Sequence, residues 1–478
     1  MNRFLRAALA ALALCAPGTT ALRAQDFPRG QVVPRVAARS DTTQHYALYL
    51  PSGYSDDRAW PVVFVMDPRG QAMVPLERFR PAAERLGYVL LSSYDTRSDV
   101  AVSPNGRALE AMLGDAQDRL SVDGRRIYLA GFSGTAREAW TYALRLGGHA
   151  AGVIGLGAGL PGDAAVFQLR AAETPPFVFF GGAGTTDFNH DEVRALGPKL
   201  SALRVPHRIV IYEGAHAWPP APVLAEALEW MTLRAMREGK APRDEAWTDS
   251  LLARRAGEAR EMESGGKLLE ALERWRAVAE DFEGVRGVDA AAARVAELEG
   301  MAPVRRALAT QAGLARRDSA HARRFAEFVR GYGEGSRPPA EGRVLSTLQV
   351  APLQREAADT SDLPRAQSAR RVLENLFVYT VFYGPESYLA RGDGERALAL
   401  LHLAGRIKPD SPEVCYAEAR VHARLGHPGE ALRALECAIS SGRISGAALD
   451  ADTALASLRA DPAFTALRAR IPDSPTKP

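Results

Sequence analysis

Residues 126–135 read RIYLAGFSGT, with Ser133 between Phe132 and Gly134. A short β-rich run (126–130) ends in small residues around a serine, and helical periodicity follows over 133–146. A tight strand-to-helix turn projects its central side chain above the sheet edge. The helix start also leaves main-chain N–H groups without partners. The same alternation extends in both directions. Residues 45–50 (HYALYL) alternate like a half-exposed strand, while 61–66 (PVVFVM) and 88–93 (YVLLSS) are apolar strands. Helical spacing covers 75–86 and 105–120. Downstream, 151–156 (AGVIGL), 177–180 (FVFF) and 208–212 (RIVIY) read as three more strands, with a helix before the last. Near-continuous apolar strands between helices predict an α/β fold, a mostly parallel sheet with helices on both faces. Ligands then bind at the carboxyl ends of the strands.

The whole chain has 478 residues, enough for two or three domains, and is 46% hydrophobic and 24% charged. Those proportions exclude a wholly disordered chain, a collagen-like fibre and a polytopic membrane protein. At the N-terminus, Arg3 and Arg6 precede an apolar run over 7–14 and small residues up to Ala24. The pattern predicts a secretory signal peptide over 1–24, its apolar run too short to span a bilayer, and hence a periplasmic or secreted protein. Leu14 before Cys15 argues against a lipoprotein. Removing 1–24 takes three arginines and no acid, leaving 57 basic and 57 acidic residues. That balance argues against a nucleic-acid partner. Two cysteines then remain, Cys415 and Cys437. Buried free thiols are the preferred reading, with a disulfide as the alternative. No metal-ligand spacing occurs, and no cofactor is expected.

Residues 25–43 read as an N-terminal extension and 44–238 as the α/β domain. After about 240 the strand signal stops, and 239–384 read as a helical region. The stretch ARGDGERAL (390–398) recurs as RLGHPGEAL (424–432), a spacing of 34 residues. This resembles the tetratricopeptide repeat over 385–441, with 442–478 as terminal helices and tail. The segment 265–282 reads as a degenerate earlier copy, and 331–342 as a loop. A repeat array of this kind implies a protein or peptide partner.

Two further stretches bear on Ser133. The strand FVFF runs into GGAGTTDFN, with Asp187, and RIVIY runs into EGAHAW, with His216. Each of the three residues lies just past a strand's carboxyl end. A carboxylate orients an imidazole, which takes the serine proton. Asp191 and Asp163 are the fallback acids. GFSG at 131–134, GTTDFN at 184–189 and EGAHAW at 213–218 resemble the α/β-hydrolase family, in particular its secreted esterase-like branches. The sequence departs from the family's motif at Thr135, where a glycine is usual. The resemblance implies Ser133 as nucleophile, His216 as base, Asp187 as its partner, and a small-molecule or polymer ester as substrate. Serine peptidases share this triad and fold, and a non-catalytic binding protein is the other alternative. The oxyanion donors are expected from the Gly134 N–H and, because Pro68 has none, from Arg69 or Gly70. The Arg69 side chain either binds an anionic substrate group or, as preferred, pairs with Asp67. Tyr94, Trp218 and His190 are pocket candidates. His207 lies at the wrong end of the sheet and reads as structural.

Overall fold

A computed structural model describes residues 27–100, 102–162, 175–335, 337–440, 444 and 446–471. The expected signal peptide and Asp163 lie outside them. The chain divides into two compact units, one ending at Gln311 and the other starting at Ala312.

The first unit is built on one eight-stranded sheet of order β1-β2-β4-β3-β5-β6-β7-β8. Its strands are β1 Val32–Ala37, β2 His45–Tyr49, β3 Trp60–Met66, β4 Val89–Ser93, β5 Val122–Phe132, β6 Ala150–Leu156, β7 Val178–Gly184 and β8 His207–Tyr212. β2 pairs antiparallel with β1 and β4, and the remaining neighbours are parallel. This is the mostly parallel sheet that the alternation of apolar strands and helices predicts. Side chains alternate along the central strands. Val62, Phe64, Met66, Ile127 and Leu129 enter one core. Val63, Val65, Tyr128, Ala130 and Phe132 enter the other. Helices α1 (Met73–Leu86) and α6 (Ala221–Arg237) cover the second face. Helices α2 (Asn105–Arg119), α3 (Gly134–Arg145), α4 (His190–Arg194) and α5 (Leu196–Ala202) cover the first.

Two expected boundaries are corrected. Residues 25–43, expected as an N-terminal extension, contain the sheet's edge strand β1. Pro34 falls inside that strand, which is tolerated because an edge strand can spare a ladder donor. The first unit also continues past residue 238. Helices α7 (Glu245–Ser264), α8 (Leu268–Phe282) and α9 (Asp289–Gly300) share a core with Leu233 of α6. Arg255 of α7 is 1% exposed at its side chain. It donates to Glu229 of α6 at 3.1 Å and to Asp281 of α8 at 3.0 Å, with Glu226 at 3.6 Å.

The boundary between the units falls within α10 (Ala302–Tyr332). The second unit is all-helical. It includes α11 (Glu341–Thr347), α12 (Val350–Ala358), α13 (Leu363–Val378), a π-helical turn at Tyr379–Tyr383, α14 (Gly384–Leu389), α15 (Gly394–Ile407), α16 (Pro412–Arg424) and α17 (Pro428–Ile439). Gly392 ends one helix at φ 78° and Gly426 another at φ 75°, so the two sequence copies make the same left-handed turn. Ala397 and Ala431, 34 residues apart, are both fully buried after it. In the first unit Gly266, φ 75°, makes a similar turn between α7 and α8. Cys415 and Cys437 form a disulfide with a Cα–Cα distance of 5.8 Å, which corrects the preferred free-thiol reading. The antiparallel hairpin of α16 and α17 brings an early position of one beside a late position of the other. Among the described residues, no helix is long and apolar enough to cross a membrane.

Candidate active site

Ser133 sits at the β5–α3 turn with φ 55° and ψ −128°, a conformation rare for a residue with a side chain. Its neighbours explain how the turn holds. A Cβ on Gly131 would lie 2.4 Å from the Thr135 carbonyl oxygen, so only glycine fits there. A Cβ on Gly157 would lie 2.4 Å from the Phe132 ring. The Ser133 N–H donates to the Leu156 carbonyl at 2.8 Å, tying the turn to β6. Thr135, where the sequence departs from the usual glycine, adds two hydrogen bonds to the turn. Its buried hydroxyl accepts from the Phe132 N–H at 3.1 Å and lies 2.7 Å from the Met66 carbonyl, to which it donates. The departure from glycine thus fastens the turn to the end of β3.

The acid and the base come from neighbouring loops after β7 and β8. The Thr185 N–H donates to the Tyr212 carbonyl, and the Thr186 N–H and hydroxyl both donate to the Gly214 carbonyl at 2.9 Å. A Cβ on Gly184 would lie 2.2 Å from that same Gly214 oxygen, so the loops touch main chain to main chain. This contact brings Asp187 to His216. His216 Nδ1 is 2.8 Å from Asp187 Oδ1, and His216 Nε2 is 2.9 Å from Ser133 Oγ. A carboxylate only accepts, so Nδ1 carries the proton and Nε2 is left to accept from the serine. The imidazole lies between Phe132 and Phe188, with ring centroids at 4.6 and 4.1 Å. Asp187 is fully buried, and its Oδ1 also accepts from the Asn189 N–H at 2.8 Å. Its Oδ2 has no hydrogen-bond partner among the described residues. Burial, and then the nearby Asp187 charge, push the Tyr212 hydroxyl well above the usual phenol range.

The other sequence candidates fall elsewhere. Asp191 pairs with His190 Nδ1 at 2.8 Å. His190, a pocket candidate, starts α4 and is buried, with no hydrogen bond to the Ser133–His216 pair. The Tyr94 hydroxyl donates to the Pro34 carbonyl of β1 at 2.6 Å, a packing contact. His207 Nδ1 bonds the Val205 carbonyl, a local contact. Trp218 is buried against Phe132 and Phe79, and its indole N–H donates to Asp67 Oδ2 at 2.7 Å.

The expected donors on the loop after β3 are corrected. The Arg69 and Gln71 N–H groups both donate to Asp67 Oδ1 at 2.8 Å, and the Gly70 N–H donates to the Asp67 carbonyl at 3.2 Å. The expected Arg69–Asp67 side-chain pair is absent among the described ion pairs. Asp67 instead gathers the main chain of its own loop. Gly134 is the first residue of α3, where the helix provides its N–H with no partner.

Sequence reasoning missed two supports. Arg78 of α1 donates to the carbonyls of Trp218 and Pro219, holding the segment after His216. Ser98, on the loop after β4, donates its N–H to the Pro68 carbonyl at 3.0 Å and packs against Gly134. Neither carries a local sequence signal. Among the described residues, no group of three or more His, Cys, Asp or Glu side chains is placed to hold a metal ion.

No family model and no curated relative matches the sequence. Solved structures do resemble it. The fluorophosphonate-binding serine hydrolase F of Staphylococcus aureus, substrate bound, is 15% identical with a TM-score of 0.36, covering 43% of this chain and 99% of that one. The S-formylglutathione hydrolase of the same organism is 15% identical with a TM-score of 0.32, covering 43% and 98%. An esterase of Pyrobaculum calidifontis is 16% identical with a TM-score of 0.32, covering 49% and 90%.

Proposed function

We propose that the first unit is a serine hydrolase that cleaves carboxylic esters through an acyl-enzyme. The observation that carries this reading is the continuous line from Ser133 Oγ through His216 to the buried Asp187, with Ser133 held at a strained turn. In the first step the Ser133 proton passes to His216 Nε2 as Oγ bonds to the acyl carbon. His216 then returns the proton to the departing alcohol oxygen as the ester C–O bond breaks. Water enters and loses a proton to Nε2, and its oxygen bonds to the acyl carbon. The acid leaves as Ser133 regains its proton. Asp187 keeps the imidazole in the required tautomer and stabilises its charged form. The substrate is a small-molecule or polymer ester, and this chemistry needs no cofactor.

The test is hydrolysis of a p-nitrophenyl ester series by the full chain beside Ser133→Ala. Wild type turns over short or medium acyl chains, and the variant loses nearly all activity with an unchanged melting temperature. Equal background rates for both would remove the reading and leave the binding-protein alternative. Faster cleavage of aminoacyl amides than of esters would turn it into a peptidase.

Export to the periplasm or beyond is part of the proposal. The leader-like pattern at 1–24 and the Cys415–Cys437 disulfide both support it, because disulfides persist in oxidising compartments. The matching turns at Gly392 and Gly426 favour a tetratricopeptide-like array in the second unit, with a peptide or protein as its ligand.

A further inference from the structure

A tetrahedral intermediate on Ser133 carries a negative oxygen, which needs two donors. Gly134 offers one. The loop after β3 is the expected source of the other, but its N–H groups at 69, 70 and 71 are all spent on Asp67. That arrangement is fixed from outside the loop. Trp218 holds Asp67 Oδ2, and Thr96 bonds the Asp67 main chain at both its N–H and its carbonyl. Freeing the Arg69 or Gln71 N–H means uncoupling a buried carboxylate, and freeing the Gly70 N–H means opening the turn closed on the Asp67 carbonyl.

The loop after β4 reaches the same place. The Ser98 N–H is anchored on the Pro68 carbonyl, beside the turn whose donors are spent. The Ser98 Cβ and Oγ lie 2.5 and 3.1 Å from where a Gly134 side chain would begin. Gly134 therefore has to be glycine to admit Ser98, and the hydroxyl stands at the edge of the residue that supplies the first donor. In the free protein Ser98 Oγ donates to Asp99 Oδ2 at 2.8 Å. Asp99 is exposed, so water can replace that bond when the hydroxyl turns. Asn105 is fully buried and brackets Arg97, accepting from its N–H at 2.7 Å and donating to its carbonyl at 2.8 Å. The loop that carries Ser98 is thus held in place before substrate arrives.

We propose that the Ser98 hydroxyl is the second oxyanion donor, acting with the Gly134 N–H on the carbonyl oxygen of the ester. The proposal rests on the hydrolase reading above. It assigns the site one side-chain donor and one main-chain donor. The hydroxyl donates a hydrogen bond to the developing oxyanion and keeps its proton throughout.

The test uses the full chain, a p-nitrophenyl ester and a fluorophosphonate probe, with Ser98→Ala and Ser98→Thr. Loss of one oxyanion donor typically costs about 10²–10³ in kcat. Ser98→Ala is expected to show a loss of that order, with KM and melting temperature unchanged and phosphonate labelling of Ser133 slowed in parallel. Ser98→Thr keeps a hydroxyl and recovers most of the rate. An active wild type whose kcat is unaffected by Ser98→Ala would overturn this inference and leave the hydrolase reading standing. A raised KM with kcat intact would also overturn it, making Ser98 a substrate-binding residue. A wild type that neither hydrolyses esters nor takes up the phosphonate overturns both.

Discussion

Trp218 donates its indole N–H to Asp67 across 2.7 Å, joining the segment just past His216 to the loop after β3. The two residues are 151 positions apart, and both are buried. Asp67 gathers its loop through Oδ1 while Trp218 satisfies Oδ2. Trp218→Phe keeps most of the ring packing and removes the donor, leaving that oxygen buried and unpaired. The expected cost is about 1–3 kcal/mol of stability. Thermal unfolding measures it, and an unchanged melting temperature would mean that water takes the place of the indole.

Asp187→Asn tests the electrostatics of the line independently of its geometry. An amide can present a donor to His216 Nδ1, which moves the imidazole proton to Nε2 and blocks acceptance from Ser133. We expect kcat to fall on the order of 10⁴-fold, the scale of a wrong tautomer in a triad. Circular dichroism should remain that of wild type. Retention of more than a tenth of the rate would take Asp187 out of the mechanism.

Thr135→Val preserves shape and deletes the hydroxyl that links Phe132 to Met66. The Phe132 N–H and Met66 carbonyl lose a buried partner, at roughly 1–3 kcal/mol. Thr135→Ser should restore most of that. If valine and serine behave alike in denaturant titrations, the hydroxyl does not hold the turn.

Arg255 is the centre of the charge cluster that joins α6, α7 and α8. Arg255→Met leaves Glu229, Asp281 and Glu226 without their shared cation, and removing one partner of a buried pair costs about 3–5 kcal/mol. The cluster also sets a pH dependence. Burial alone would raise the Glu226 carboxyl, but Arg255, Arg208 and Arg274 outweigh it and hold it at about 2. A depressed value contributes stability that is complete above the ordinary glutamate range, near 4.3, and is lost as pH falls through about 2. Asp281, raised chiefly by burial, acts in the opposite sense. Glu226→Gln should therefore flatten the loss of stability between those limits, read by unfolding curves across acid pH. An unchanged slope would remove Glu226 as its source.

The Cys415–Cys437 disulfide closes a segment with a sequence separation of 22 residues. Restricting an unfolded loop of that size contributes about 3 kcal/mol in the chain-entropy model. Cys415→Ser combined with Cys437→Ser should lower the unfolding free energy of the second unit by that order. Ester hydrolysis in the first unit should be unaffected. Equal stability with and without the bridge would mean that the hairpin is already ordered in the unfolded chain.

What the sequence made visible follows from where each signal is local. Ser133, Asp187 and His216 stand immediately after apolar strands, so the strand ends mark them. β1 escaped because VVPRVA carries Pro34 and pairs on one side only, with a register shift between Val33 and Val36. Its apolar positions therefore do not alternate. The oxyanion loop misled because DPRG shows which N–H groups exist but not that Asp67 accepts from them. Arg78 and Ser98 reach their contacts across long stretches of chain, where no spacing rule applies. The α7–α9 helices look like the start of a separate region because helical periodicity does not reveal which core a helix joins.

The main-chain contact between Gly184 and Gly214 has a consequence for how this site can diversify. Main-chain contacts between the two loops set the spacing of acid and base, backed by the Thr186 hydroxyl and the Arg78 side chain. Residues lining the approach to Ser133 can then be exchanged for different substrates without detuning the proton relay. Sequence drift should concentrate there, while the two glycines act as fixed points of the fold.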